Sequence, residues 1–254
     1  MIIPAAGLGL RLKSSLPKVL FPVNGRPMID YLFNLYAPLA ECFILVLHPS
    51  FERQVRQYCS QYAFRLEYAI QEEPTGMLDA ILAPREEVQK YRPERVWITW
   101  CDQIAISPRT VATLARLSVQ DHESALLFPT VMRKDPYIHF VRNERREIVR
   151  VLQRRENDDM PEVGESDMGL FHLSGHAYLD LLVDFSGAIT RSAVTRERNF
   201  LPFIPWLHGQ APIRTFPGGA EIESVGINDA GDLQRIEGYL RHERQHPVDH
   251  HTCL

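Results

Sequence analysis

Long apolar runs are missing from this sequence. The longest, such as Cys42 to Leu47, fall far short of the roughly 20 residues that a helical bilayer span needs, so no membrane-spanning helix is expected. A charged-then-apolar leader is missing too, because strand-like sequence starts at Met1; a cytoplasmic protein is expected. Cysteine is scarce. Cys42, Cys59, Cys101 and Cys253 form no metal-like pairs, which points to reduced thiols rather than a disulfide or zinc framework. Basic excess is absent as well. Lys and Arg total 28 against 32 Asp and Glu, a net charge of −4, which argues against a general nucleic-acid binder while leaving room for a local basic pocket. There is no internal repeat and no low-complexity tract.

What remains is an ordinary globular composition, with 45% hydrophobic and 24% charged residues over 254 positions. A chain of this size buries roughly 70% of its unfolded surface. Short apolar runs alternate with helix-length segments over the first half. Strands are expected at Met1–Pro4, Cys42–Leu47, Phe64–Ile70, Arg95–Cys101 and Ser124–Phe128. Helices are expected at Pro27–Leu39, Phe51–Tyr62, Gly76–Lys90 (broken or bent at Pro84) and Pro108–Val119. This alternation implies a mainly parallel sheet with helices on both faces.

The rhythm changes after Pro129. Tyr137–Arg142 and Glu147–Gln153 alternate like a hairpin around Asn143–Arg146, and Glu156–Ser166 reads as a polar, mobile loop. Asp167–Leu173 reads as a strand, Gly175–Val183 as a helix, and the stretch to Arg198 as loose chain. Ile213–Phe216 and Ile222–Val225 read as short strands, and Asp229–Arg244 as a closing amphipathic helix. A single domain over 1–254 is expected, with a nucleotide-binding half (1–129) and an acceptor-binding half (130–254) sharing one sheet.

The most informative stretch is PAAGLGLRLKSSLPKVLFPVNGRPM, Pro4 to Met28. Ala5, Ala6, Gly7, Leu8 and Gly9 form a small-residue loop leaving a strand, where backbone N–H groups can approach phosphate oxygens. Arg11 and Lys18 add two cations suited to a triphosphate. A P-loop would need a glycine before Lys13-Ser14, and a dinucleotide fingerprint a third glycine; both fail at Leu12. Taken alone, the glycines are equally compatible with an ordinary strand-to-helix turn.

The whole string resembles the G-x-G-T-R-(x)-P-K signature of the sugar-nucleotide pyrophosphorylases. Within them it is most similar to the uridylyltransferase domain of bacterial N-acetylglucosamine-1-phosphate uridylyltransferases. Gly7, Gly9, Arg11, Pro17, Lys18, Val19, Leu20, Gly25, Pro27 and Met28 stand at the family's motif positions, with Leu10 replacing the usual threonine or serine. The resemblance implies a Rossmann-like sheet with a smaller mixed β/α acceptor half, similar to glycosyltransferase-A folds. It implies further sites in chain order. Gln71 would read the base, its carboxamide pairing with O4 and N3–H of uracil or thymine, and Gly76 would admit base or ribose. Asp102, at the end of the fourth strand, and Asn228, in Gly226-Ile227-Asn228-Asp229, would bind Mg²⁺. Bland roles compete with these. Asp102 could instead cap a helix or turn, Asn228 could instead cap the last helix, and Asp229 competes with Asn228 for either role.

The acceptor half departs further. Asp167, Met168 and Gly169 stand where the family has N-T-G, Gln153 replaces a sugar-binding glutamate, Ile138 replaces a glycine, and Met77 follows Gly76. The family's hexapeptide-repeat acetyltransferase domain has no counterpart, so a single activity is expected. That activity is transfer of a nucleoside monophosphate from an NTP, UTP or dTTP favoured, to a sugar 1-phosphate, with Arg11 and Lys18 as catalytic cations and Mg²⁺ as cofactor. Two readings compete with it: a cytidylyl- or guanylyltransferase for another phosphorylated alcohol, amino alcohol or cyclitol, and a non-catalytic nucleotide-sensing regulator of the same fold. Leu10 and Met77 favour the regulator, and retention of Arg11, Lys18, Asp102 and Asn228 opposes it. No nucleic-acid or membrane partner is implied, and a homo-oligomer is left open. His139, His172, His176 and His208 read as structural or surface residues. The His246, Asp249, His250, His251 and Cys253 tail reads as a polar terminus rather than a zinc site.

Overall fold

The computed structural model describes residues 1–7 and 14–245. Leu8, Gly9, Leu10, Arg11 and the histidine-bearing tail therefore lie outside the described residues. The strands are β1 (Ile2–Pro4), β2 (Pro22–Val23), β3 (Arg26–Pro27), β4 (Phe43–Leu47), β5 (Leu66–Ile70), β6 (Arg95–Thr99) and β7 (Leu126–Lys134), followed by β8 (Ile138–Arg142), β9 (Ile148–Gln153), β10 (Val163–Asp167), β11 (Leu170–Ser174) and β12 (Ile213–Pro217). The helices are α1 (Met28–Tyr36), α2 (Pro49–Cys59), α3 (Met77–Leu82), α4 (Arg85–Tyr91), α5 (Pro108–Gln120), α6 (Leu182–Ala188), α7 (Phe203–Trp206) and α8 (Ala230–Gln245).

The central sheet runs β10-β7-β11-β6-β1-β4-β5, with β12 beside β7. β5, β4, β1 and β6 are parallel neighbours, and β11 enters antiparallel between β6 and β7. The expected α/β architecture is what the chain adopts. Continuous apolar strands explain it, because a strand buried on both faces needs helices on both. In β4, Phe43, Leu45 and Leu47 face the core under α1, α2, α5 and α8, whereas Ile44 and Val46 face the core under α3, α4, α6 and α7. Pro84 separates α3 from α4, as its missing N–H requires. On the first face Phe33 packs edge-on against Phe43, Tyr62 and Phe64, with centroids 4.8–4.9 Å away.

Three expectations of the second half are corrected. The polar run Glu156–Ser166 is not a loop throughout: Val163–Asp167 pairs with β7 from Lys134 to Thr130. Its polar side chains find partners, since Arg142 donates two hydrogen bonds of 2.7 Å to the Glu165 carboxylate. The single strand expected over Asp167–Leu173 is broken at Met168-Gly169, where Gly169 takes φ 66° and the chain passes from β10 to β11. Ile222–Val225 is no strand; Glu221–Ser224 is a 3-10 turn. Buried Glu223 holds it by accepting from the Ser107 N–H (2.9 Å), the Thr110 hydroxyl (2.7 Å) and the Ala220 N–H (2.9 Å). The β8–β9 hairpin forms as expected.

Candidate active site

The site lies where the parallel strands end, at their carboxyl edge, the usual ligand edge of such a sheet. Ala5 and Ala6 leave β1 buried, the Ala5 N–H donating to the Val46 carbonyl at 2.8 Å. Gly7 is exposed, with open space where a Cβ would stand. The chain is next described approaching Lys18, which opens a 3-10 turn over Lys18–Leu20. Pro17 sets that turn by accepting from the Leu20 N–H, and buried Val19 and Leu20 anchor it in the core under α1. The backbone under Lys18 is thus fixed, while its side chain extends away from the core.

That side chain reaches Asp102, just beyond β6. Lys18 Nζ donates to Asp102 Oδ2 and, at 3.3 Å, to Asn228 Oδ1. The residues bridged are 84 and 210 positions from the lysine along the chain. Asn228 is aimed by its own neighbours. Its Nδ2 donates to the Gly226 carbonyl at 3.1 Å and its backbone N–H to Asp232 at 3.0 Å, which turns Oδ1 toward Lys18. Asp229 takes the capping role instead, accepting from the Gly231 and Asp232 N–H groups at the start of α8. Gly226 lies so close to Asp102 that a Cβ would come 3.0 Å from the carboxylate. The Ile227 N–H closes the contact by donating to the Asp102 carbonyl at 3.3 Å.

Asp102 and Asn228 offer a carboxylate and an amide carbonyl, the hard oxygen donors that suit Mg²⁺. Both converge on one cation already, so the donor set and its aim fit the metal implied by the sequence. Burial, with Asp102 adding, pushes the neighbouring Cys101 thiol up to about 12, which disfavours its thiolate.

Gln71 follows β5 at the same edge, its N–H donating to the Leu47 carbonyl at 2.9 Å. Its carboxamide Nε2 donates to the Gly76 carbonyl at 3.1 Å, bracing the loop it closes. Gly76 has φ 129°, and a Cβ there would lie 2.4 Å from the Arg198 carbonyl oxygen. Its smallness is thus required by the protein's own chain. Arg198 pairs its backbone with Thr75 and Leu78 and its guanidinium with Asp79 at 2.5 Å.

At the end of β10, Asp167 sits opposite Thr130, buried, its Oδ2 accepting from the Gly169 N–H at 2.8 Å. Burial raises its carboxyl to about 6. Gly169 packs against the segment that carries Asp102: a Cβ would stand 2.5 Å from Gln103 Cγ and 2.6 Å from Trp100 Cδ1. Gln153, buried at the end of β9, pairs with Ile138, whose carbonyl accepts from the Ser166 hydroxyl at 2.5 Å. Gln153 and Ile138 are thus paired across the hairpin, and Ser166 ties Ile138 to β10.

Sequence reasoning missed the braces of this site. Gln103 and Arg133 both donate to the Ser224 carbonyl, at 3.3 and 3.4 Å, and so tie the segment leading to Asn228 to the sheet. Glu156 gathers the Ser192 and Thr195 hydroxyls and the Asn199 amide, pinning the loop before Arg198. Nothing in their spacing could have announced these, because each partner is remote in sequence. Cavities of about 600 and 640 Å³ open around Arg92–Arg95 at the opposite edge, and Lys18, Asp102 and Asn228 line neither. Among the described residues, no cluster of three or more His, Cys, Asp or Glu could hold a metal, and no helix is long and apolar enough to cross a membrane.

The family model described as the MobA-like NTP transferase domain matches residues 1–164. The chain belongs to the MobA-like NTP transferase family. Curated relatives extend the likeness across its full length. The bifunctional protein GlmU of Pelotomaculum thermopropionicum is 27% identical over 248 residues, covering 94% of this chain and 51% of that protein. GlmU of Thermus thermophilus gives 27% over 245 residues, with 94% and 51% covered. GlmU of Streptococcus agalactiae gives 25% over 260 residues, with 100% and 54% covered. The chain thus spans about half the length of these relatives. A Bacillus anthracis protein solved with sucrose, provisionally assigned as a glucose-1-phosphate thymidylyltransferase, superposes with a TM-score of 0.74 at 16% identity, covering 94% of each chain. At that identity the match speaks for the fold, and it agrees that this MobA-like NTP transferase has the α/β architecture described above.

Proposed function

We propose that the protein transfers a nucleoside monophosphate from UTP or dTTP to a sugar 1-phosphate, releasing pyrophosphate and an NDP-sugar. The observation that carries this reading is the convergence of Lys18, Asp102 and Asn228 just beyond the carboxyl end of β6. Nucleotide-family membership and the GlmU relatives support it.

The acceptor phosphate needs no protein base. A phosphate monoester is already largely dianionic near pH 7, its second pKa being about 6. The difficulty is bringing two anions together and relieving the charge of the leaving pyrophosphate. Lys18 would leave Asp102 for the α-phosphate and the incoming phosphate. Arg11 would hold the β- and γ-phosphates. Asp102 and Asn228 would hold Mg²⁺, which when bound supplies charge neutralisation and alignment for the displacement. Gln71 would turn its carboxamide from the Gly76 carbonyl toward the base.

Buried Asp167 and Gln153 stand at positions where the resembled family has asparagine and glutamate, which favours an acceptor other than N-acetylglucosamine 1-phosphate. A second donor and acceptor pair, CTP or GTP with a phosphorylated alcohol or cyclitol, would keep the same machinery.

The test is thermal shift with Mg²⁺ and each of UTP, dTTP, CTP, GTP and ATP, beside Asp102→Ala. Binding to the native state alone stabilises it by roughly 2.7 kcal/mol at a hundredfold excess over Kd. A selective shift with UTP or dTTP, weakened in Asp102→Ala, is expected. A shift with CTP or GTP alone would overturn the reading of Gln71, and none with any nucleotide would favour a non-catalytic protein.

A further inference from the structure

We propose that Lys18 is a built-in counter-cation of the Asp102–Asn228 pair, which a divalent metal must displace, so that metal enters productively only together with a nucleotide. The inference rests on the reading of that pair as the metal site. It goes beyond that reading in making Lys18 an antagonist of the metal in the nucleotide-free protein and its collaborator afterwards.

The geometry is direct. The oxygens aimed into the site, Asp102 Oδ2 and Asn228 Oδ1, both accept from the same ammonium. The lysine and aspartate side chains are each only 14% exposed, so the pair is shielded from water far more than a surface ion pair. Asn228 cannot turn aside, because its amide nitrogen is engaged by the Gly226 carbonyl. Asp102 is pressed on by Gly226, where even a methyl group would crowd the carboxylate. A dication arriving between these oxygens would therefore meet a like charge already seated there, and like charges at such range repel strongly in a half-shielded site.

The lysine can leave. Its stem is flexible and its ammonium has no fixed donor geometry, unlike the planar fork of an arginine. What it needs is another anion within reach. A triphosphate supplies that anion, so one ligand would both draw the lysine away and help bring the metal in. Metal and nucleotide would then bind with positive coupling, each strengthening the other by the same factor.

This makes an uncommon prediction: removing a positive residue from the active site should improve metal binding. Mn²⁺ binding would be measured by electron paramagnetic resonance, without nucleotide, on the wild type, Lys18→Met, Lys18→Gln, Lys18→Arg and the double variant Lys18→Met/Asp102→Asn. Circular dichroism melts would check that each is folded, and the two neutral variants guard against one of them failing. The neutral variants should bind Mn²⁺ at least about tenfold more tightly than the wild type. Lys18→Arg should stay near the wild type, and the double variant should lose the gain. In the wild type, UTP should raise Mn²⁺ affinity, and in Lys18→Met it should raise it less.

Folded neutral variants that bind Mn²⁺ no better than the wild type would overturn the inference. If the wild type still takes up Mn²⁺ with UTP through Asp102, the proposed function survives that result. If no protein binds Mn²⁺ through Asp102 with any nucleotide, the metal reading fails and this inference falls with it.

Discussion

At the scale of single residues, the site is a meeting of side chains whose neighbours leave them little choice. Asn228 is oriented by Gly226 and Asp232, Asp102 is crowded by Gly226, and Lys18 stands on a turn buried through Val19 and Leu20. Truncating Lys18 or Asp102 should therefore remove function without removing the fold. Lys18→Ala and Asp102→Ala are each expected to lower turnover by at least about a hundredfold, with melting temperatures near the parent's. Pyrophosphate release in purified protein, with UTP or dTTP and a panel of sugar 1-phosphates, is the assay; near-normal turnover in either variant would sink the assignment.

Asp167 yields a prediction of another kind. Burial raises its carboxyl to about 6 in the folded chain, against about 3.9 when exposed. Between those values the folded chain holds more protons than the unfolded one, so stability falls as pH rises through the window, and the cost is complete above it. Asp167→Asn should accordingly be more stable than the parent at pH 8, by about 1–3 kcal/mol. The advantage should fade toward pH 4. Urea melts of both proteins across that range would test it.

The residues of the site were legible to unequal degrees. Lys18, Asp102 and Asn228 could be picked out because each sits in a recognisable string, in the expected order. Gly76 and Gly169 could be picked out as glycines, yet their reasons could not. Gly76 is small for the Arg198 backbone and Gly169 for Gln103 and Trp100, contacts that no local spacing encodes.

At the scale of elements, the same limit shows. Strands β1, β4 and β6 announce themselves by their apolar residues because helices cover the sheet on both faces. Strand β10 does not, because Val163-Gly164-Glu165-Ser166-Asp167 reads as loop chemistry until Arg142 and Thr130 are brought opposite it. The break between β10 and β11 depends on one left-handed residue. Gly169→Ala would combine a strained φ with a Cβ driven into Gln103 and Trp100, a cost of about 2–4 kcal/mol. It should also disturb Asp102, one residue before Gln103. A lowered melting temperature together with weakened nucleotide-dependent stabilisation is expected, and a fully parent-like protein would refute this.

The Glu156 carboxylate is one brace of the loop before Arg198, beside the ion pair of Arg155 with Glu197. Burial alone would raise Glu156, but hydrogen bonds from Ser192, Thr195 and Asn199 hold it below its ordinary value. Glu156→Ala removes the acceptor all of them share. Arg191 and Arg196 lie in this loop, so limited trypsin digestion should cut the variant there several times faster while the rest of the fold resists.

At the scale of the whole molecule, His172 sets an acid limit. Burial, with Arg95 adding, lowers its imidazole to about 4, against about 6.5 unfolded. Between these values the unfolded chain holds more protons, so stability falls as pH drops through the window. This is opposite in sign to Asp167, and the two partly cancel near pH 5. His172→Phe, which cannot take up that proton, should unfold at a lower pH than the parent in an acid titration followed by circular dichroism.

Strand β11 sits between β6 and β7, yet it is made after both. During synthesis the growing sheet must wait with a gap at its centre, both flanking edges bare, until Ser174 has cleared the ribosome. Bare edges of this kind recruit foreign strands. The nascent chain is thus most vulnerable after β7 has emerged and before β11 has, and its dependence on chaperones should be concentrated in that interval.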